Sequence, residues 1–147
     1  MGLILGTNVV IYADRKDTNV VICADRKGTS VDFTSWSSWG DAFISAITAS
    51  ELLVGVHRAD SEARRLRRSA FVEGVLAAIP VLDFTLEVAR THAEILAILR
   101  SRGEVIGAHD LIIAATALSN GHAVLTADLD EFRRVPGLEV LAFEQEK

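Results

Sequence analysis

A three-layer α/β/α sandwich around a central parallel sheet is the fold this sequence predicts, on three observations. Short apolar runs such as Leu3-Ile4-Leu5 and Ala123-Val124-Leu125 lack the alternation of a half-exposed strand, as strands buried on both faces do. Segments with helical periodicity separate these runs. Acids fall where the runs end and helices begin, which is where a parallel sheet places its ligand site.

The elements follow in order. Gly2-Leu3-Ile4-Leu5 reads as the first strand and Phe43-Ile44-Ser45-Ala46-Ile47 as the second. Thr48-Ala49-Ser50-Glu51 has capping-box spacing ahead of Leu52, Leu53, Val54 and Val56, so a helix is expected to begin there, with Glu51 in its first turn. Ser61 to Ala78 reads as a helix with Leu66, Ala70, Phe71, Leu76 and Ile79 inward, stopped by Pro80. Val81-Leu82-Asp83-Phe84 suits a short strand. Thr85 caps a helix running to about Ser101, with Leu86, Ala89, Ala93, Leu96, Ala97 and Leu99 near helical spacing and Gly103 at its end. A helix over Asp110 to Ser119 closes at Asn120-Gly121, where glycine suits a left-handed turn. Ala123 to Thr126 and Val140 to Phe143 are the last strands, with a short Asp130-Glu131-Phe132 helix between them.

With 147 residues, half of them hydrophobic, the chain fits a single domain (1–147) able to bury a core without staples. No apolar run approaches a membrane span and no charged leader precedes a signal-like stretch. Cys23 is the only cysteine, so an internal disulfide and a thiolate zinc cluster are excluded; a reducing, cytoplasmic setting is the simplest reading. A formal charge of −5 argues against attachment to nucleic acid by bulk positive charge. Arg58, Arg64, Arg65, Arg67 and Arg68 form a local basic segment, either a solvated helix face or an RNA contact. Phe33, Trp36 and Trp39 lie in a polar stretch between Arg26 and Asp41 that reads as a packed loop or partner surface rather than a base-stacking lid.

Three acids fall at strand ends or helix starts: Glu51, Asp110 and Asp128. Gathered at one sheet edge, such carboxylates are hard oxygen ligands suited to Mg²⁺. Each also has a structural reading, as a capping-box partner, a helix N-terminal charge and a turn residue respectively. Their order and common location favour the metal site. Thr7 and Asn8, or their counterparts Thr18 and Asn19, can orient ligands or cap a helix, and Thr126 can bond a phosphate, a water or nothing functional. The four histidines show no metal spacing; His109, beside Asp110, is the one placed to shuttle a proton. No glycine-rich phosphate loop follows Leu5, which counts against a nucleotide binder.

Thr7-Asn8-Val9-Val10-Ile11-Tyr12, Ile47 to Leu52, Ile106 to Ala115 and Leu125 to Asp128 resemble, in order and spacing, the motifs of PIN-domain ribonucleases of the VapC toxin type. The resemblance covers essentially the whole chain. It implies a Mg²⁺-dependent endoribonuclease, with Mn²⁺ as an alternative ion, that is held in check by a small VapB-like antitoxin and is often a homodimer. Glu51, Asp110 and Asp128 match three of the family's four acidic positions.

The fourth position departs from the pattern. The family's strand is followed by Asp-Thr-Asn, whereas Leu5 is followed by Gly6-Thr7-Asn8; Asp17-Thr18-Asn19 comes later because Gly6–Lys16 and Asp17–Lys27 are a tandem repeat of eleven residues that differs at two positions. If Gly6 follows the first strand, the second copy extends the helix and Asp17 stands roughly 16 Å away at ~1.5 Å per residue. If Asp17 takes the place, the acidic set and the metal ligands Asp110, Asp128 and Asp17 are complete. In that arrangement Asp14-Arg15-Lys16 must end a buried strand, at a desolvation cost. Fold physics prefers the first and chemistry the second. The rival function is a catalytically impaired homologue that only binds antitoxin or RNA, with Gly6 in place of the first acid.

Overall fold

The computed structural model describes residues 2–15 and 41–143, with the side chains of 2–11 and 41–143. Strands β1 (Leu3–Leu5), β2 (Ala42–Ser45), β3 (Val81–Leu82), β4 (Ala123–Thr126) and β5 (Val140–Ala142) form one sheet in the order β3-β2-β1-β4-β5, every pairing parallel. Helices α1 (Thr7–Arg15), α2 (Ala46–His57), α3 (Glu62–Ala78), α4 (Leu86–Ser101), α5 (Ala108–Asn120) and α6 (Leu129–Phe132) lie between the strands, α2 with α3 and α4 with α5 as consecutive pairs.

The sheet separates two cores, and alternation along the strands assigns each residue to one. Leu5, Ile44 and Leu125 face α1, α2 and α3 with Val9, Val10, Leu52, Val72 and Val75. Ile4 and Val124 face α4, α5 and α6 with Val88, Ile95, Leu99, Ile113 and Phe132. Burial of each such side chain stabilises by about 1.5–3 kcal/mol before entropy is counted. This is the α/β/α sandwich that the sequence predicts. No helix among the described residues is long and apolar enough to cross a membrane.

Local chemistry sets most helix ends. Ser61 and Thr85 accept from the backbone N–H groups of Arg64 and Val88, and Gly121 (φ 72°) ends α5 in the left-handed region that its missing Cβ permits. Three expectations need correction. Helix α2 starts at Ala46, not at the Thr48 capping box: Ser45, in extended backbone, caps it through Ile47 N–H, so β2 ends earlier and Glu51 lies in the second turn. Helix α5 starts at Ala108, two residues before Asp110, because the chain turns into it at Gly107. In α3 and α4 the buried seams run through Val72, Val75 and Ile79 and through Val88, Ile95 and Leu99. Leu66 and Leu86 are exposed, beyond the reach of the sheet. Of the basic segment, Arg64 and Arg65 pair with Asp60 and Glu62 on the exposed face of α3.

Candidate metal and active site

Strands β1 and β4 are neighbours although they are far apart in sequence, so the chain order reverses between them and a crevice opens beyond their carboxyl ends. Gly6 directly follows β1 there, its N–H donating to Leu125 O at 2.8 Å. A cavity of about 200 Å³ is lined by Gly6, Thr7, Asn8, Glu51, Asp110, Thr126, Asp128 and Phe132. Every acid proposed from the sequence within the described residues reaches this one place. Asp17, Thr18, Asn19, Phe33, Trp36 and Trp39 lie outside the described residues.

Each acid arrives on a rigid element. Helix α5 is buried along Leu111, Ile113, Ala114, Ala115, Thr116 and Ala117, its small residues letting it pack closely, and this fixes Asp110 in its first turn. Glu51 is held by hydroxyls: Thr7 Oγ1 donates to Glu51 Oε1 at 2.9 Å and lies 3.1 Å from Thr48 Oγ1. A hydroxyl has one proton, so with Thr7 donating to Glu51, Thr48 must donate to Thr7. His109 stands at the rim with Nδ1 3.6 Å from Glu51 Oε1. Thr126 Oγ1 accepts from Asp128 N–H at 2.9 Å and so sets the turn out of β4. The Asp128 side chain makes no capping bond to α6 and is left to the cluster.

Glu131 is the acid that motif reasoning missed. Oxygens of Asp110, Asp128 and Glu131 lie within 4.8 Å of one another. Its signal was present in the sequence, since residues three apart on a helical turn share a face and Glu131 follows Asp128 by three. Glu131 Oε1 also accepts Gly107 N–H at 3.3 Å. Asp110 is pushed up to about 7, first by burial, then by its hydrogen bond with Glu131 and by the charges of Glu131, Asp128 and Glu51. Glu131 is held below the usual carboxylate range, chiefly by that same hydrogen bond, with help from Gly107 N–H and Arg134. The two shifts run in opposite directions, so the pair favours holding one proton between them, and burial favours Asp110 as its carrier.

The donor set fits a hard divalent ion. An ion with metal–oxygen distances of ~2.1 Å holds its oxygens ~3–4 Å apart, so small side-chain movements would close the trio around it. Crowding that forces a carboxyl to keep a proton near pH 7 is relieved when a cation replaces that proton.

Comparison with known proteins identifies the family. The PIN domain family matches residues 4–138. The chain is 38% identical over 141 residues to ribonuclease VapC1 of Rickettsia felis and 37% identical over 141 residues to ribonuclease VapC of Rickettsia bellii, in each case covering 96% of both chains. Among solved structures, a chain of the DNA-bound VapBC of Salmonella typhimurium superposes with a TM-score of 0.78 at 30% identity, covering 97% of this chain and 98% of that one. The chain belongs to the PIN-domain family, among its VapC ribonucleases.

Proposed function

We propose that this chain is the toxin of a toxin–antitoxin module, an endoribonuclease that uses Mg²⁺, or Mn²⁺ in its place, to hydrolyse RNA phosphodiester bonds. The observation that carries this reading is the convergence of Glu51, Asp110, Asp128 and Glu131 on one crevice at the β1/β4 switch point. Relatives point the same way: they are named ribonucleases, and one from Salmonella typhimurium, 37% identical over 97 residues, is a tRNA(fMet)-specific endonuclease.

Asp110, Asp128 and Glu131 would hold the ion. When bound, it supplies Lewis acidity to the phosphate and to the attacking water. Glu51, aimed by Thr7, offers a carboxylate oxygen that can take the proton of that water. Asn8, exposed on the cavity wall, is placed to meet the phosphate, while Thr7 and Thr126 orient the acids. Gly6 contributes no carboxylate. In this reading Glu131 supplies the fourth acid within the described residues, which is why cleavage is expected despite Gly6.

The solved VapBC structures support a VapB-like antitoxin as partner, and the reading extends to a homodimer acting in the cytoplasm. The experiment is RNA cleavage in a Mg²⁺ titration, comparing the chain with Asp110→Ala. Cleavage that requires Mg²⁺ and disappears in the variant is expected. Cleavage indifferent to Asp110→Ala would remove the metal-nuclease reading.

A further inference from the structure

Glu131 reaches the site from α6, a helix of only four residues. So short a helix cannot hold a crowded carboxylate rigidly by itself, because most of its backbone groups are terminal. Something must tie it to α5, which carries Asp110.

Two side chains from this turn reach across to the same loop, the one entering α5. Glu131 Oε1 accepts Gly107 N–H at 3.3 Å, and the Arg134 guanidinium donates through Nη1 to Val105 O. Next to them Phe132 is 2% exposed and Val135 3%, so the turn is anchored in the core below while the two polar arms grip the loop above. The arms are also linked within the turn, since Arg134 N–H donates to Glu131 O at 3.2 Å. Gly107 is the residue from which α5 starts, three positions before Asp110. A shift of the 105–107 loop therefore moves Asp110 relative to Glu131.

We propose that Arg134 is a positioning residue: by clasping Val105 O it fixes Glu131 and the start of α5 in the geometry that lets Asp110, Asp128 and Glu131 share one ion. This rests on the metal-site reading above. Arg134 touches neither phosphate nor ion in this role. Its fork is suited to the task, because a planar guanidinium holds a carbonyl in a defined direction while its charge lies beside the carboxylate. Residues that orient ligands in this way typically change metal affinity by roughly ten- to a hundredfold when removed.

The test uses the full chain with Mn²⁺ as the probe, read by titration calorimetry, together with amide hydrogen exchange at Gly107. Arg134→Ala is expected to weaken Mn²⁺ binding at least tenfold and to speed Gly107 exchange. Arg134→Lys, which keeps the charge and a donor, should recover part of both, and Arg133→Ala, the exposed neighbour, should change neither. If Arg134→Ala proves too unstable to study, Arg134→Lys still decides, because it must fall between wild type and Arg133→Ala on one side and an Asp110→Ala site on the other. Arg134 variants that match wild type in affinity and in Gly107 exchange overturn the proposal. A wild-type chain that binds no Mn²⁺ overturns the metal-site reading itself, a separate result from equal binding by wild type and variant.

Discussion

Replacing Asp110 by Asn should stabilise the metal-free protein while destroying its activity, and only on one side of neutrality. The ordinary value of this carboxyl is 3.8, and in the folded chain it is pushed up to about 7, by burial first and by Glu131 next. Carrying the proton over that interval corresponds to roughly 4 kcal/mol at 1.36 kcal/mol per pH unit. The group is only partly buried, so solvent screening reduces this to ~1–2 kcal/mol. A folded value above the unfolded one means that the favourable contribution is complete below pH ~4 and is lost as pH rises through about 7. Glu131, held low, works in the opposite sense and trims the effect. Asn has no proton to lose, so with EDTA present Asp110→Asn should melt roughly 3–6 °C above wild type at pH 8. Near pH 4, where Asp110 is largely protonated in the folded chain and begins to be so in the unfolded one, the two should nearly coincide. A variant that melts below wild type at pH 8, or shows the same difference at both pH values, would refute the crowding argument.

Two more perturbations probe the same crevice. Gly6→Asp places a Cβ 3.1 Å from Leu125 O and 3.6 Å from Thr126 Oγ1, so β1 must yield by a few tenths of an ångström. The added carboxylate should cost roughly 1 kcal/mol without metal and raise Mn²⁺ affinity about tenfold, measured by melting and calorimetry. No gain there, together with loss of cleavage in Asp17→Ala, would instead give that place to Asp17. Thr7→Val removes the donor to Glu51 and strands the Thr48 hydroxyl, which is fully buried. Stability should fall by about 1–3 kcal/mol. The kcat should fall more than KM rises, with Thr7→Ser restoring both; unchanged kcat would remove Thr7 from the positioning of Glu51.

What could be read from the sequence was what local chemistry decides. Ser61, Thr85 and Gly121 end their helices through their own side chains or backbone freedom, and they stand where the sequence puts them. The start of α2 was misplaced because Thr48 and Glu51 have the spacing of a cap yet are used across the fold, with Thr7. Leu66 and Leu86 fit helical periodicity but face solvent, since which stripe is buried depends on the partner that the helix meets. In the site, Glu51, Asp110 and Asp128 were legible because strand ends announce themselves. Glu131 was legible only as a neighbour three residues after Asp128, because its role is fixed by contacts with Gly107 and Asp110 from distant parts of the chain.

The replacement of a missing first acid by Glu131 is tested most directly by RNA cleavage with Glu131→Gln across a Mg²⁺ series. Gln keeps the shape and can still accept from Gly107 N–H, but it withdraws one charged oxygen from the trio. Cleavage reduced at least a hundredfold, with a higher Mg²⁺ requirement and a fold as stable as wild type, is the predicted result. Wild-type cleavage at wild-type Mg²⁺ concentration in Glu131→Gln would contradict it.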